Sequence, residues 1–338
     1  MVLADLDGDG LIDLYVANDT TANFLFRTQG ALRFEEVGQL AGVAAAADGG
    51  FQAGMGVDCG DADGDGLPDL IVTNFYGEGT TFCRNLGGGQ FVDASAVAGL
   101  AAATRPRLGF GVAFLDADNN GHLDIAQANG HVNDYKSIPY RMPAQLLLSF
   151  DQGRWIDVSE SAGPAWSVPR LGRGLVRGDL DNDGRVDLLM VGLNEPVADL
   201  RNRSEQTGRW LTITLEGTSS NRDAVGAVVS VEVNGQRVQG WRIGGGSYQS
   251  AHDPRLHFGL GDSGERASIQ VQWPSGAIDQ YLDLPTNAAY RLIEGHSCPQ
   301  SLPRGPGLRS CHNPLGDDSP TRAHLRAAPH APGLPKGP

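Results

Sequence analysis

Apolar positions in residues 1–205 recur with the short period that is typical of β-strands. Segments such as LIDLYVAN, LPDLIVTN and RVDLLMVG alternate apolar and polar residues, or run apolar, over the length of one strand. Hairpin patterns follow in residues 23–37, 81–95 and 145–159, with polar, mostly glycine-containing turns between apolar or aromatic runs. The pattern predicts an all-β fold of short antiparallel strands.

An acidic pattern of nine residues precedes four of these strands, in residues 5–13, 61–69, 116–124 and 179–187 (loops one to four). Each copy has Asp at positions 1, 3 and 9, Asp or Asn at position 5, and Gly at position 6. The starts at 5, 61, 116 and 179 give repeats of 56, 55 and 63 residues. Four short strands per repeat of this length predict the blades of a β-propeller, since an open β-solenoid usually has shorter repeats.

Carboxylates at alternate positions of a tight loop repel one another unless a cation lies between them. Ca²⁺ fits best, because it takes six to eight oxygen ligands, and the glycine at position 6 permits the sharp turn. An EF-hand is excluded, because position 12 holds Val, Gln or Met instead of Glu and a strand pattern follows each loop. Four turns rich in Asp, Asn and Gly are the alternative, but agreement between the copies favours metal binding.

The sequence therefore predicts about four Ca²⁺ sites, with side chains at positions 1, 3, 5 and 9 and the backbone carbonyl at position 7 as ligands. Loop three has Asn120 at position 5, so we expect weaker binding there if ligand charge dominates. The predicted ligands are Asp5, Asp7, Asp9, Leu11 and Asp13 in loop one; Asp61, Asp63, Asp65, Leu67 and Asp69 in loop two; Asp116, Asp118, Asn120, His122 and Asp124 in loop three; and Asp179, Asp181, Asp183, Arg185 and Asp187 in loop four.

Only Met1 to Ala4 precede loop one, so the first repeat is expected to lack its leading strand. This predicts a partial, integrin-α-like propeller of about four blades that is truncated at its N-terminus. The missing strand would leave an unpaired sheet edge, which a missing segment or a partner chain is expected to complete.

The repeat stops near Trp210, and a second pattern of alternating strands begins. WLTITLEG, AVVSVEVNGQRVQGWRI and ASIQVQWPSGAIDQYLDL are strand-like, with turns at VNGQ and PSGA. We expect residues 206–296 to form a small β-sandwich-like domain, after a propeller region of residues 1–205. Residues 297–338 are rich in proline and poor in apolar residues, which predicts a disordered tail.

The net charge of −14 argues against nucleic acid or an anionic membrane as a partner. No apolar run is long enough to span a membrane, and no signal peptide is visible before loop one.

Cys59 and Cys83 lie in strand-like segments and are expected to be buried thiols. Cys298 and Cys311 flank a short proline-rich loop, and whether they pair is open.

Few other residues suggest chemistry, because the usual hydrolase and phosphate-binding motifs are missing from the sequence. His131 is interpreted as a hydrogen-bonded loop histidine in preference to a surface ligand. The cluster His252, Asp253, Arg255 and His257 is either a binding site or, preferably, a turn fixed by an internal Asp–Arg pair. The five tryptophans are expected mainly in the core, and the glycines before the loops at close-packed positions of the propeller axis.

These patterns resemble a known family. The acidic loops and their lead-in strands GMGVDCG, GFGVAFL and GRGLVRG look like FG-GAP/VCBS repeats, the blades of integrin-α-like propellers. SSNRDAVGAVVSVEVNGQ, GGGSYQSAHDPRLHFGLG and VQWPSG look like an ASPIC/UnbV domain. Over residues 1–295 the chain thus resembles the cartilage acidic protein group and its bacterial relatives. Complete members carry more N-terminal sequence with an export signal, and the EGF-like module of the cartilage protein is missing from this sequence.

The resemblance implies an extracellular, cell-surface or periplasmic calcium-binding protein with an interaction role and no established catalytic activity. Our preferred hypothesis is a calcium-stabilised binding or adhesion module that presents propeller loops to an unknown protein or glycan. A secreted polysaccharide lyase or hydrolase is the alternative, and it needs a polar cluster in a cleft outside the metal loops. A purely structural spacer is the third hypothesis.

Overall fold

The computed structural model describes residues 1–151, 153–205 and 207–302 of the chain. Its regular structure is almost entirely β, which confirms the predicted fold class, with two short α-helices and a 3-10 turn at Pro164–Ser167. All sheet pairs are antiparallel, except for one parallel pair in the C-terminal region.

Four small sheets form a propeller-like array in the first part of the chain, and each is one predicted repeat. The first three blades have four strands and the last has three. Blade one is β1 (Val2–Ala4), β2 (Asp13–Val16), β3 (Phe24–Thr28) and β4 (Phe34–Glu36), followed by α1 (Gly38–Ala41). Blade two is β5 (Val57–Gly60), β6 (Asp69–Val72), β7 (Thr81–Asn85) and β8 (Phe91–Asp93), followed by α2 (Leu100–Thr104). Blade three is β9 (Gly109–Leu115), β10 (Asp124–Asn129), β11 (Gln145–Asp151) and β12 (Arg154–Asp157), and blade four is β13 (Gly172–Gly178), β14 (Asp187–Gly192) and β15 (Ala198–Leu200).

Each acidic loop joins the first strand of a blade to the second, so all four loops lie at the same end of the array. Successive blades stand side by side, because β1 contacts β5, β5 contacts β9, and β9 contacts β13. These first strands are the innermost strands of the array. The hairpins predicted from the sequence form the third and fourth strands of blades one to three, as expected.

Two expectations about the N-terminus are wrong. Blade one does have its leading strand, since three residues suffice for β1 to pair with β2 through Val2–Tyr15 and Ala4–Asp13. Its inner edge is also paired, because Val2 lies opposite Gly245 of the C-terminal region, in β19 (Gly244–Gly245). The chain itself therefore covers the edge for which the sequence suggested a missing segment or a partner.

Close backbone packing at the axis explains the glycines of the lead-in strands, as predicted. A Cβ atom on Gly56 would lie 2.1 Å from the carbonyl oxygen of Phe110, and one on Gly111 would lie 2.5 Å from the amide nitrogen of Leu175. Real Cβ contacts are never that short, so neighbouring inner strands can approach only where a side chain is missing. All five tryptophans are buried, and Cys59 and Cys83 are buried thiols.

The C-terminal region is a sandwich of two four-stranded sheets. Its strands are β16 (Arg209–Glu216), β17 (Val228–Val233), β18 (Gln236–Trp241), β20 (Leu256–Gly261), β21 (Arg266–Gln272), β22 (Ile278–Pro285), β23 (Ala288–Ile293) and β24 (Gln300–Leu302). One sheet has the order β20, β16, β23, β24 and the other β18, β17, β21, β22. One apolar cluster fills the space between the sheets, as the alternation of apolar residues predicts.

The predicted disordered tail begins too early. Residues 300–302 form β24 and pair with β23 at Ala289–Leu302, so the sheet extends past residue 297. The sequence pattern did not reveal this edge strand, because its side chains are exposed or half-buried and it joins the sheet through backbone pairing. The rest of the predicted tail, residues 303–338, and the possible pairing of Cys298 with Cys311 lie outside the described residues. None of the described helices combines the length and the apolar character that crossing a bilayer requires.

Candidate metal centres

Three carboxylates converge in every acidic loop. In each loop, oxygen atoms of the side chains at positions 1, 3 and 9 lie within 4.8 Å of one another. The four groups are Asp5, Asp7 and Asp13; Asp61, Asp63 and Asp69; Asp116, Asp118 and Asp124; and Asp179, Asp181 and Asp187. These twelve residues were all predicted as ligands, and the fold brings each set together.

The aspartate at position 1 shapes the loop from inside. One of its oxygens accepts the N–H of the position 6 glycine in every copy, at 2.9, 3.0, 2.7 and 2.9 Å in chain order. The four glycines have φ between 86° and 91°, a region that side chains other than glycine rarely adopt. The glycine is therefore required by a backbone turn that wraps around the first carboxylate.

The aspartate at position 9 ties the loop to the third strand of its own blade. One oxygen accepts the N–H of position 2, and the other accepts the N–H of a residue in or just after the third strand. That second donor is Thr28, Asn85, Ser149 or Asn202, at 2.7–2.8 Å. Position 9 thus fixes where the first and third strands meet the carboxylate cluster.

The position 5 aspartates, Asp9, Asp65 and Asp183, do not join the converging groups in the structure. In each copy one oxygen of the position 5 side chain accepts the N–H of position 7, at 2.7–2.9 Å. This turn is the local geometry that Asp and Asn favour. The roles expected of the position 5 side chains (Asp9, Asp65, Asn120, Asp183) and of the carbonyls at position 7 (Leu11, Leu67, His122, Arg185) stay predictions.

Burial disfavours the charged form of several of these carboxylates. It raises the pKa of Asp69 and Asp116 to about 8 and that of Asp124 to about 7, although backbone hydrogen bonds oppose the shift. The pKa of Asp13 and Asp61 is raised to about 6 for the same reason. A cation among the carboxylates would favour their charged forms, and an all-oxygen donor set suits a hard cation. The residues present therefore fit a metal ion.

Arginines beside the acidic loops reduce the negative charge that a metal ion would meet. They were not among the predicted site residues. Arg27 contacts Asp7, Arg84 contacts Asp63, and Arg201 lies 3.6 Å from Asp181. Each arginine immediately precedes the residue whose N–H binds position 9, and in blade three that place holds Leu148. An arginine one residue before the N–H donor to position 9 is therefore the sequence signal for such an ion pair.

The arginines largely cancel the difference that Asn120 makes. Loops one and two each combine four aspartates with one arginine, so the formal charge of each loop with its arginine is −4 + 1 = −3. Loop three has three aspartates and Leu148, which also gives −3. Loop four has four aspartates with Arg201 and Arg185, which pairs with Asp183, giving −4 + 2 = −2. Loop four, not loop three, has the smallest negative charge.

The C-terminal region enters the centre of the blade array through residues 244–255, which we call the axial segment. The Ser247 N–H donates to the carbonyl of Val57 on β5, at 2.6 Å. The Ser247 hydroxyl donates to the carbonyl of Leu175 on β13, also at 2.6 Å. With the pairing of β19 and β1, the segment therefore contacts the innermost strands of blades one, two and four.

Blade three and a buried ion cluster complete this joint. The Tyr248 ring packs edge-on against Phe110 of β9, with centroids 4.9 Å apart. His252 lies 3.4 Å from the buried carboxylate of Asp58, which Arg177 approaches to 3.7 Å. Burial opposes the charge on Asp58, but His252 and Arg177 outweigh it and hold its pKa below the usual value. The polar cluster of the second domain thus contacts the blades.

The structure confirms the Asp–Arg pair expected in the polar cluster of residues 252–257 and the loop position expected of His131. The Asp253–Arg255 pair expected within the polar cluster is present, with Arg255 Nε 2.8 Å from Asp253 Oδ2. His131 is fully buried, and its Nδ1 accepts the N–H of Asn133. Phe75 and Tyr135 pack edge-on against its ring. It is a loop histidine, as the preferred interpretation predicted.

Comparison with known proteins agrees with both parts of the chain. Residues 217–298 match the family model described as ASPIC and UnbV. Residues 5–72 and 61–126 match the FG-GAP-like repeat. Cartilage acidic protein 1 is similar over 79% of this chain, at 27% identity in Mus musculus and 28% in Homo sapiens. The chain spans 40% and 39% of the length of these curated relatives.

Among solved structures, a lectin of Agrocybe aegerita, described for its recognition of non-reducing terminal N-acetylglucosamine, is similar over 60% of this chain and 51% of its own. The sequence identity is 20% and the TM-score is 0.34. A similarity at that level supports no argument about the ligand.

Proposed function

We propose that the chain is a calcium-stabilised, non-catalytic interaction module, and the matches to the FG-GAP-like repeat and to the ASPIC/UnbV domain support this proposal. The observation that carries the proposal is the fourfold convergence of carboxylates at positions 1, 3 and 9. Ca²⁺ supplies the positive charge that these carboxylates need when they are buried, and it suits oxygen donors held by a flexible loop. The relatives support an extracytoplasmic location, either secreted, at the cell surface or periplasmic.

The end of the blades opposite the acidic loops is the proposed binding surface. Loops that join the second and third strands lie at that end, as do the segments that lead into the first strands. They expose aromatic and apolar side chains, among them Phe51, Tyr135 and Val132. Exposed aromatic residues are enriched where proteins bind proteins or sugars. A protein or glycan is the partner class that this surface fits.

Calcium titration tests the metal part of the proposal. We expect isothermal titration calorimetry of the metal-stripped chain to show about four sites for Ca²⁺ and far weaker binding of Mg²⁺, which demands near-ideal octahedral geometry. Asp5→Asn, Asp61→Asn, Asp116→Asn and Asp179→Asn should each remove one site. Saturable binding that none of the four substitutions changes would contradict the assignment.

A screen of the calcium-loaded chain tests the interaction role. We expect a saturable protein or glycan ligand whose binding Tyr135→Ala weakens, whereas Leu32→Ala, at an exposed position in the turn between the third and fourth strands of blade one and thus at the acidic-loop end, leaves it unchanged. Turnover of a polysaccharide in the same screen would instead favour the enzyme hypothesis.

A further inference from the structure

Position 4 divides the acidic loops into two classes. Loops one and two have Gly8 and Gly64 there, with φ of 81° and 77°, whereas loops three and four have Asn119 and Asn182, with φ of 59° and 57°. All four residues adopt the left-handed conformation, which glycine accepts freely and asparagine tolerates. The loop geometry is thus the same, and only loops three and four carry a side chain at this place.

Asn119 of loop three binds the C-terminal region. Its Oδ1 lies 2.7 Å from Nε2 of His257, and its Nδ2 donates to the carbonyl of Gly184 in loop four at 2.9 Å. Burial, together with the nearby charges of Arg177 and Arg255, lowers the pKa of His257 to about 4, so the ring is neutral near pH 7. It can then donate from Nε2 while Nδ1 faces the hydroxyl of Thr212 at 3.2 Å.

The backbone of loop three makes two more contacts with the same region. The carbonyl of Asn119 accepts the N–H of Gly261 at 2.7 Å, and that of Asp118 accepts the N–H of Gly208 at 2.8 Å. Asp118 is also one of the three converging carboxylates. The same short stretch of chain therefore carries a metal-binding carboxylate and hydrogen bonds to the neighbouring domain.

Asn182 of loop four has the equivalent role. Its Oδ1 accepts a hydrogen bond from Nη1 of Arg255 at 2.7 Å, and Nη2 of Arg255 donates to the carbonyl of Asp179 at 2.6 Å. Trp210 covers Gly184, since a Cβ atom there would lie 1.9 Å from the indole. In loop one, by contrast, a Cβ atom on Gly8 would meet nothing within 4 Å.

We propose that loops three and four are metal-dependent docking loops for the ASPIC/UnbV domain, because their position 4 side chains hydrogen-bond that domain, whereas loops one and two have glycine at position 4 and lack these contacts. The inference rests on the proposed calcium function. Position 4 lies between two predicted ligand positions, so a bound ion would fix the backbone that presents Asn119 and Asn182. Coupling is reciprocal, so docking of the domain would also raise the calcium affinity of these two loops.

Hydrogen exchange of the full chain, with and without Ca²⁺, tests the coupling. Peptides that contain Gly208 and Gly261 report docking directly, because their N–H groups bind loop three. We expect Ca²⁺ to slow exchange there as well as in the loops. The Asn119→Gly, Asn182→Gly double variant keeps every predicted ligand, and it should make exchange of these peptides about tenfold faster in saturating Ca²⁺.

Two further variants separate docking from general damage. Gly8→Asn introduces the same side chain at position 4 of loop one, in open space, and should leave exchange of the Gly208 and Gly261 peptides unchanged. Arg255→Gln removes the contact to Asn182 from the other side and should repeat the effect of Asn182→Gly, with calcium protection of loops one and two intact. An effect of Gly8→Asn equal to that of the double variant would overturn the proposal.

The failures are distinguishable. If Ca²⁺ protects the four loops but leaves the Gly208 and Gly261 peptides unchanged, metal binding stands and the docking role is wrong. If Ca²⁺ changes exchange nowhere, the proposed calcium function fails, and the coupling fails with it.

Discussion

The blades and the C-terminal sandwich differ in what they bury. A single apolar cluster fills the sandwich, with Leu211, Val231 and Ile269 at its centre. The blades divide their apolar residues among several smaller clusters and bury aspartates beside them. Burial of apolar surface stabilises the sandwich without any ligand, whereas the buried carboxylates of the blades oppose folding unless a cation offsets their charge.

Calcium removal should give the largest difference. A ligand at 100 times its Kd adds about 2.7 kcal/mol per site, so four sites contribute roughly 10 kcal/mol. For a chain of this size we expect chelation to lower the unfolding temperature by roughly 15 °C. Differential scanning calorimetry measures the shift, and circular dichroism of the chelated sample shows whether the blades still fold. An unchanged unfolding temperature would mean that the acidic loops are turns that bind no metal.

Ile269→Ala should show that the sandwich core acts independently of metal. The side chain is 1% exposed within the apolar cluster, so its truncation should cost about 2–5 kcal/mol. Urea unfolding should give the same loss with Ca²⁺ and with chelator. A penalty that vanishes on chelation would show that the two regions share one metal-dependent core.

Glu294 should make the sandwich sensitive to acid. It is 3% exposed, and its carboxylate accepts the N–H groups of Thr218, Ser219 and Ser220 at 2.7–2.8 Å. Burial raises its pKa, but these bonds and the serine hydroxyls outweigh burial and lower it to about 2 from the usual 4.5. Glu294→Gln should cost about 1.5–3 kcal/mol near pH 7.

The sign of the pH dependence follows from the lowered pKa. Folded Glu294 holds its proton less tightly than the unfolded chain does, so its contribution is complete above pH 4.5 and is lost as the pH falls towards 2. The penalty of Glu294→Gln in urea unfolding should therefore shrink between pH 5 and pH 3. Glu265→Gln, at a position 85% exposed, is the control and should change stability little at either pH.

The arginines should tune the metal sites by the smallest amount. Leu148→Arg places a positive charge beside loop three, and Arg84→Leu removes one from loop two. Ion pairs of this exposure are worth about 0.2–1 kcal/mol, so we expect calcium affinities to fall and rise, respectively, about two- to fivefold. Leu148→Met is the neutral control in the same titration. Equal effects of Met and Arg at position 148 would argue that packing, not charge, is responsible.

Local features of the chain could be predicted from the sequence. The acidic loops, the hairpins and the turn at Asn234–Gly235, where both residues have positive φ, depend on neighbours within about a dozen residues. Aspartates at positions 1, 3 and 9 are close in sequence, so a tight turn suffices to bring them together. Repetition then made the pattern stand out, because four copies agree at the same positions.

The joint between the two regions could not be predicted in this way. Val2 pairs with Gly245, and Val57 pairs with Ser247, so each pair joins residues of the first blades to the C-terminal region, and no local pattern encodes such partners. Gly245 belongs to the glycine-rich stretch GGGSYQS, and a Cβ atom at Gly245 would lie only 2.5 Å from the carbonyl oxygen of Met1. The contrast between Gly and Asn at position 4 was visible in the sequence, but its meaning required the partners of Asn119 and Asn182.

The axial segment also sets an order for the making of this protein. Ser247 follows Val57 by 190 residues (247 − 57), so a ribosome finishes every blade before it makes the segment that pairs with their inner strands. Until then those strand edges are open to other chains, which is a known route to aggregation. A nascent chain of this kind would depend on chaperones until its last third emerges, and a stop codon just after blade four would release blades that nothing closes.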